Sequence, residues 1–314
     1  MQTINKLSLI EQAQFTTEKP SEVRVKLNGL IESGEIKVRE IAKFSGYSES
    51  VISQWLGDKY EGDVEKIDDA AARFYRHWLA ANACVETSVV QDIHATMMLA
   101  WRRKEIAQIV GRFGSGKSKA AARFVALNDF AVYTELTSTT NATSLLHAVG
   151  EALGISSQMA GSQHDKLLAI IRSLQRRPRL LVIDEADNLR PRTLAILKDI
   201  HGGEAAERCA IVLIGTERLN AVLRHPELGY LQRRIRIKRR VKEIDFDEAK
   251  EIADMWTHSL DRKELKQAWE WAERHFGVAS LVALMARAYD EMQIRNKRKI
   301  DSDCLDAAYG WLID

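Results

Sequence analysis

Apolar residues change their spacing twice along the chain. From Ile36 to Leu56 they recur at helical intervals, with Ile41 and Ala42 on one short stretch and Val51, Ile52, Trp55 and Leu56 on the next. Gly46 separates the two where the backbone must turn, and Ser48 is placed to cap the second helix. Five compact apolar runs follow at Ile106–Val110, Ala131–Glu135, Leu180–Asp184, Ala210–Ile214 and Ile235–Lys238, alternating with helical stretches. Short continuous apolar runs between helices predict the buried strands of a parallel α/β sheet. Helical spacing then returns in Asp247–Ser259, Asp261–Phe276, Val278–Ile294 and Ser302–Leu312, with Gly277 as a break. The pattern predicts an all-α N-terminal domain over 1–80, with a helix-turn-helix at about 36–57. A nucleotide-binding domain over 85–240 and an all-α C-terminal lid over 241–314 complete it. The polar stretch Gly57–Asp69 is the expected linker between the first two.

Residues 111–118 read Gly-Arg-Phe-Gly-Ser-Gly-Lys-Ser, directly after the first predicted strand and before a helix-forming segment. This is the spacing of a phosphate-binding loop. Gly111, Gly114 and Gly116 let the backbone, with Ser115, wrap phosphate oxygens with inward N–H groups at a helix N-terminus. Lys117 is expected to reach the β- and γ-phosphates of ATP, and Ser118 to ligate Mg²⁺. The run Leu180–Asp184 delivers Asp184 and Glu185 at its C-terminal end. Asp184 is expected to hold the Mg²⁺ shell and Glu185 to orient the attacking water.

Composition narrows the partners. With 46% hydrophobic and 29% charged residues and a net charge of +2 in 314 residues, the chain is not a polycation. Nucleic-acid contact must therefore come from local patches. One is basic: seven of the ten residues from Arg233 to Lys242 are Arg or Lys, which bind phosphates or solvate a strand edge. Another is the second helix of the helix-turn-helix, where Ser50, Ser53 and Gln54 lie off the apolar face and are candidates for DNA contact. That helix has no Arg or Lys from Ser48 to Gly57, so a bidentate guanine reader is missing. Cys84, Cys209 and Cys304 show neither zinc spacing nor a disulfide framework, which points to a reducing compartment. No signal-peptide pattern and no bilayer-length apolar run is present, so no membrane partner is expected.

In this order, the motifs resemble those of AAA+ ATPases, and among them the B transposition proteins of phage Mu type. The likeness runs through nearly the whole chain. It includes Gly57-Asp58-Lys59-Tyr60-Glu61-Gly62-Asp63, Val85-Glu86-Thr87, Ile183-Asp184-Glu185-Ala186-Asp187 and the arginine-rich strand. The resemblance implies an ATP-dependent, largely sequence-nonspecific DNA-binding ATPase. Such a protein forms helical filaments on double-stranded DNA as a homo-oligomer and delivers target DNA to a transposase in the bacterial host cytoplasm. It implies that Val85, Glu86 and Thr87 lie near the adenine. Thr216 matches the first sensor of the γ-phosphate, with a helix cap or turn hydroxyl as the plainer role. Arg234, or failing that Arg233, matches the arginine finger acting in trans. Thr137, Thr139, Asn141, Arg190 and Arg192 become candidate DNA contacts, beside Ser50 and Gln54. One position departs from the pattern: where AAA+ lids carry Gly-x-x-Arg, Gly277-Val278-Ala279-Ser280 ends in serine, leaving Arg287 as an alternative nucleotide contact. An ATP-switched transcriptional regulator remains the alternative function.

Overall fold

The computed structural model describes residues 20–82, 85–202, 209–256 and 260–312. They form two compact units: the described parts of Met1–Val85, Phe246–Trp271 and Leu281–Asp314, and the sheet unit Glu86–Asp245 with Ala272–Ser280.

The N-terminal helices are α1 (Pro20–Glu32), α2 (Val38–Ser45), α3 (Glu49–Leu56) and α4 (Val64–Asn82). The turn between α2 and α3 forms as the residues dictate. Gly46 takes φ 77°, its N–H bonds the Ala42 carbonyl, and Ser48 Oγ accepts from Val51 N at 3.3 Å. Leu27, Ile41, Ile52, Trp55 and Ile67 are buried together. The polar stretch 57–69 is not a linker. Val64 opens α4, Ile67 enters this core, and Asp68 accepts the Trp55 indole N–H at 2.7 Å. A buried indole needs such a partner, which is why a charged residue sits inside a helix that packs.

The sheet unit runs α5 (Ser88–Arg103), β1 (Ile106–Val110), α6 (Lys117–Leu127), β2 (Ala131–Glu135), α7 (Ala142–Ala152), α8 (Gln163–Arg176), β3 (Leu180–Asp184), α9 (Pro191–Leu194), α10 (Ile196–His201), β4 (Ala210–Gly215), α11 (Arg218–Leu223), α12 (Gly229–Gln232) and β5 (Ile235–Arg240). All strands are parallel, in the order β2-β3-β4-β1-β5. The central strands β1, β3 and β4 are buried along their whole length. Gln108, the polar exception in β1, is satisfied by Asn220 of α11 at 2.8 Å. The outermost strand β5 buries Ile235 and exposes Arg236, Lys238, Arg239 and Arg240. It extends two residues past the apolar run because its ladder continues to Val110↔Arg240. A parallel sheet gathers its loops at the C-terminal strand ends, so the turns after β1, β3 and β4 meet on one rim.

The C-terminal helices are α13 (Phe246–Asp254), α14 (Arg262–Arg274), α15 (Val278–Ile294) and α16 (Ser302–Leu312). Gly277 breaks α14 from α15 at φ 60°. The end of the predicted helix Asp247–Ser259 lies outside the described residues. Leu281, Leu284, Met285 and Ala288 form the buried stripe of α15. Among the described residues no helix is long and apolar enough to cross a membrane.

Candidate nucleotide site

The phosphate loop leaves β1 at Gly111, whose N–H bonds the Gly215 carbonyl at the end of β4 at 3.3 Å. Gly114 and Gly116 take φ 77° and 86°, the left-handed conformation that opens the loop. Ser115 and Lys117 are buried, whereas Ser118 is exposed in the first turn of α6. Lys117 Nζ donates to the carbonyls of Gly111 (3.0 Å) and Arg112 (2.8 Å) and to Ser115 Oγ (3.3 Å). Burial draws its pKa down, and the charges of Asp184, Glu185 and Asp187 oppose that shift. The lysine is thus held centrally by groups that phosphate oxygens can supplement.

Residues 272–280 brace the outer side of the loop. Ala279 N donates to the Gly114 carbonyl at 3.1 Å, and Arg112 donates to the His275 carbonyl at 2.7 Å and to Glu243 at 3.1 Å. The Phe113 and Phe276 rings meet edge to face, 5.7 Å apart. A Cβ on Gly114 would run into the Phe276 carbonyl oxygen. Gly114→Ala therefore meets two penalties: roughly 1–2 kcal/mol for a left-handed non-glycine backbone, and displacement of the brace. It is expected to lower the melting temperature of the nucleotide-free protein and weaken ATP binding at least about tenfold. An unchanged melting curve would contradict this packing.

Asp184 ends β3 fully buried. Its Oδ2 accepts from the Tyr133 hydroxyl and its Oδ1 from the Glu185 N–H, both at 2.8 Å. Burial, then the Asp184 charge, pushes the Tyr133 phenol far up, so it stays a donor. Tyr133 lies on β2 in register with Val182, one strand from the motif. Sequence reasoning missed it; the available signal was a tyrosine hydroxyl midway along an apolar run, which needs a partner. Glu185 is half-buried, and its carboxyl is held above the usual range by burial, then by Asp184 and Asp187, against Lys117. Thr216 follows β4. Its Oγ1 donates to Asp187 Oδ2 at 2.5 Å and accepts from Arg218 N at 3.3 Å, so the hydroxyl serves the turn into α11.

Lys117, Asp184, Glu185 and Thr216 therefore come together on the rim. Arg234 does not join them. It precedes β5, at the opposite strand end and about 16 Å away by strand length. There it donates to the carbonyls of Lys198 (3.1 Å) and Gly202 (2.7 Å) and lies 5.1 Å from the Tyr230 ring centre. Arg233 beside it is exposed. Thr87 caps α5 through Val90 N at 3.4 Å, Glu86 pairs with Arg123 of α6 at 3.2 Å, and Val85 is half-buried.

The other polar candidates are surface residues. Thr137 and Thr139 share a hydroxyl bond of 3.0 Å, and Asn141 caps α7 by accepting from Thr143 and Ser144 N–H groups. Arg190 and Arg192 are exposed at the start of α9, as are Ser50 and Gln54 on α3. Ser280 is buried and accepts from Phe276 N at 3.0 Å, a local structural bond, while Arg287 is exposed and pairs with Asp290 at 3.6 Å.

Known proteins are similar to this chain in sequence and in fold. The family model described as an AAA domain matches residues 101–223. The ATP-dependent target DNA activator B of Escherichia phage Mu is 29% identical over 266 residues, 81% of this chain and 83% of that protein. The Mu-like prophage FluMu DNA transposition protein B of Haemophilus influenzae is 24% identical over 255 residues, 77% of this chain and 87% of that protein. Among solved structures, the Aeropyrum pernix ORC1 protein in complex with DNA superposes with a TM-score of 0.57 at 15% identity. The match takes in 72% of this chain and just under two thirds, 64%, of that one. The fold of the sheet unit is that of the AAA+ ATPases, and helical segments precede and follow it in the chain.

Proposed function

We propose that this protein hydrolyses ATP, assembles on double-stranded DNA and presents target DNA to a transposase. The observation that carries the ATPase half is the meeting of Lys117, Asp184, Glu185 and Thr216 on one rim of the sheet, next to a glycine loop in left-handed backbone. The transposition half is supported by the likeness to target DNA activator B, which covers four fifths of the chain.

The site fits a magnesium nucleotide. Asp184 is a buried carboxylate with its two oxygens already oriented, by Tyr133 and by its own strand end. Ser118 presents an exposed hydroxyl at the helix start, and Lys117 is the buried cation. Mg²⁺, bound with ATP through Ser118 and Asp184, supplies neutralisation of phosphate charge. Lys117 binds the β- and γ-phosphates, the N–H groups of residues 114–118 cradle them, and Glu185 orients a water and takes its proton. Val85, Glu86 and Thr87 flank the base. Arg234, with Arg233 as the exposed alternative, serves the phosphates of a neighbouring subunit in the assembly. DNA is met by the surface residues Thr137, Thr139, Asn141, Arg190 and Arg192, with Ser50 and Gln54 on the helix-turn-helix.

Electron microscopy with random-sequence duplex DNA tests the whole. Continuous filaments are expected with ATP or a slowly hydrolysed analogue, and none with ADP. Discrete particles at one preferred sequence would instead identify an ATP-switched transcriptional regulator.

A further inference from the structure

The turn after β3 holds Glu185 at φ 54°, ψ 36°. A side chain in that left-handed well costs about 1–2 kcal/mol and persists only where neighbours fix it. Five bonds do so. Glu185 N donates to Asp184 Oδ1, Asn188 N donates to the Glu185 carbonyl at 3.0 Å, and Asn188 Nδ2 reaches the Leu136 carbonyl at 3.4 Å. The last two come from the end of the neighbouring strand: Asp187 Oδ2 accepts both the Thr216 hydroxyl, at 2.5 Å, and the Thr216 N–H, at 3.3 Å.

Asp187 is 6% exposed, and its Oδ1 has no hydrogen-bond partner. That oxygen lies against Gly215, where a Cβ would come within 2.7 Å of it. A buried, half-satisfied carboxylate is a costly way to brace a turn. Thr216 has one hydroxyl proton, and Asp187 takes it. While the clamp is closed, Thr216 has no proton left to donate to a phosphate.

We infer that Asp187 is a positioning residue for hydrolysis. It clamps Thr216 at the end of β4 to the turn after β3, and so fixes where Glu185 points. In this clamped arrangement Asp187 and the Thr216 hydroxyl bond each other, and both act through Glu185. This role rests on the ATPase function proposed above.

The test is single-turnover ATP hydrolysis by the full chain with duplex DNA, alongside the equilibrium dissociation constant for ATP. Asp187→Ala is expected to slow hydrolysis about 100-fold, the scale of a misplaced reacting group, with ATP affinity within about threefold of wild type. Thr216→Val should reproduce the loss from the other side of the clamp. Asp187→Asn, which keeps an acceptor, should recover at least about tenfold over alanine. The double variant Glu185→Gln/Asp187→Ala should be no slower than Glu185→Gln alone, because one residue works through the other. A wild-type rate in Asp187→Ala would overturn the role. So would a double variant slower by the product of the single losses, or a loss of affinity without a loss of rate. If Asp187→Ala does not fold, as judged by circular dichroism, Thr216→Val carries the same double-variant comparison. A wild-type chain that binds ATP without hydrolysing it would sink the ATPase function itself, and this role with it.

Discussion

With glutamine at position 185, ATP binding and assembly on DNA are expected to survive while hydrolysis falls by about two to four orders of magnitude. Glutamine matches the size of Glu185 and tolerates the same turn, so the bonds through Asp184 Oδ1 and the Asn188 N–H remain. What it lacks is the capacity to accept a proton. Charge points the same way for binding. Glu185 stands beside Asp184 and Asp187, which together with burial hold its carboxyl above the usual range. Removing one of three neighbouring acids relieves repulsion toward incoming phosphates. Phosphate release and filament lifetime on DNA are the measurements: slow release with persistent filaments is expected. Release at the normal rate would show that another group positions the water.

Lys117→Ala should act at the earlier step. Its ammonium is the buried cation of the site, bonded to two loop carbonyls and Ser115 Oγ and facing three acidic neighbours. A hydrogen bond to a charged group contributes about 1.5–3 kcal/mol, so losing the phosphate contacts should weaken ATP binding about 10- to 150-fold. Filaments would then be absent at ATP concentrations that saturate the wild type. Lys117→Met separates charge from packing, since it keeps an apolar stem in the buried position. Both variants should lose the same affinity. Retention by methionine alone would mean that the stem, not the ammonium, holds the loop together.

Much of the sheet was legible because its physics is local. Parallel strands buried on both faces read as short apolar runs, as β1, β3 and β4 do, and the edge strands β2 and β5 also fall where expected. That the glycine loop and Asp184–Glu185 share one rim was legible because both motifs directly follow predicted parallel strands. Gly46, Ser48 and Gly277 behaved as their backbone chemistry requires. What was not legible depends on contacts across strands or on partners far away in the chain. Tyr133 meets Asp184 only because β2 lies beside β3. Asp187 meets Thr216 through a bond spanning 29 positions. The brace on Gly114 comes from residues 275–279, more distant still. The stretch 57–69 misled for the opposite reason: polarity suggested a linker, whereas Asp68 is polar because Trp55 needs an acceptor.

The strand order also dictates a timetable for synthesis. β1, which carries the phosphate loop, pairs with β4 and β5 and with neither of the strands made next. About 100 residues separate Val110 from Ala210, and at roughly 5–20 residues per second the ribosome takes on the order of 5–20 s to cover them. Throughout that interval Ile106, Ala107 and Ile109 lack the strands that bury them, while β2 and β3 can already zip together. The helix-turn-helix closes on near neighbours and is complete long before. The nascent chain thus has a finished N-terminal helical core well before its first strand is paired, and an apolar first strand that chaperones have time to meet.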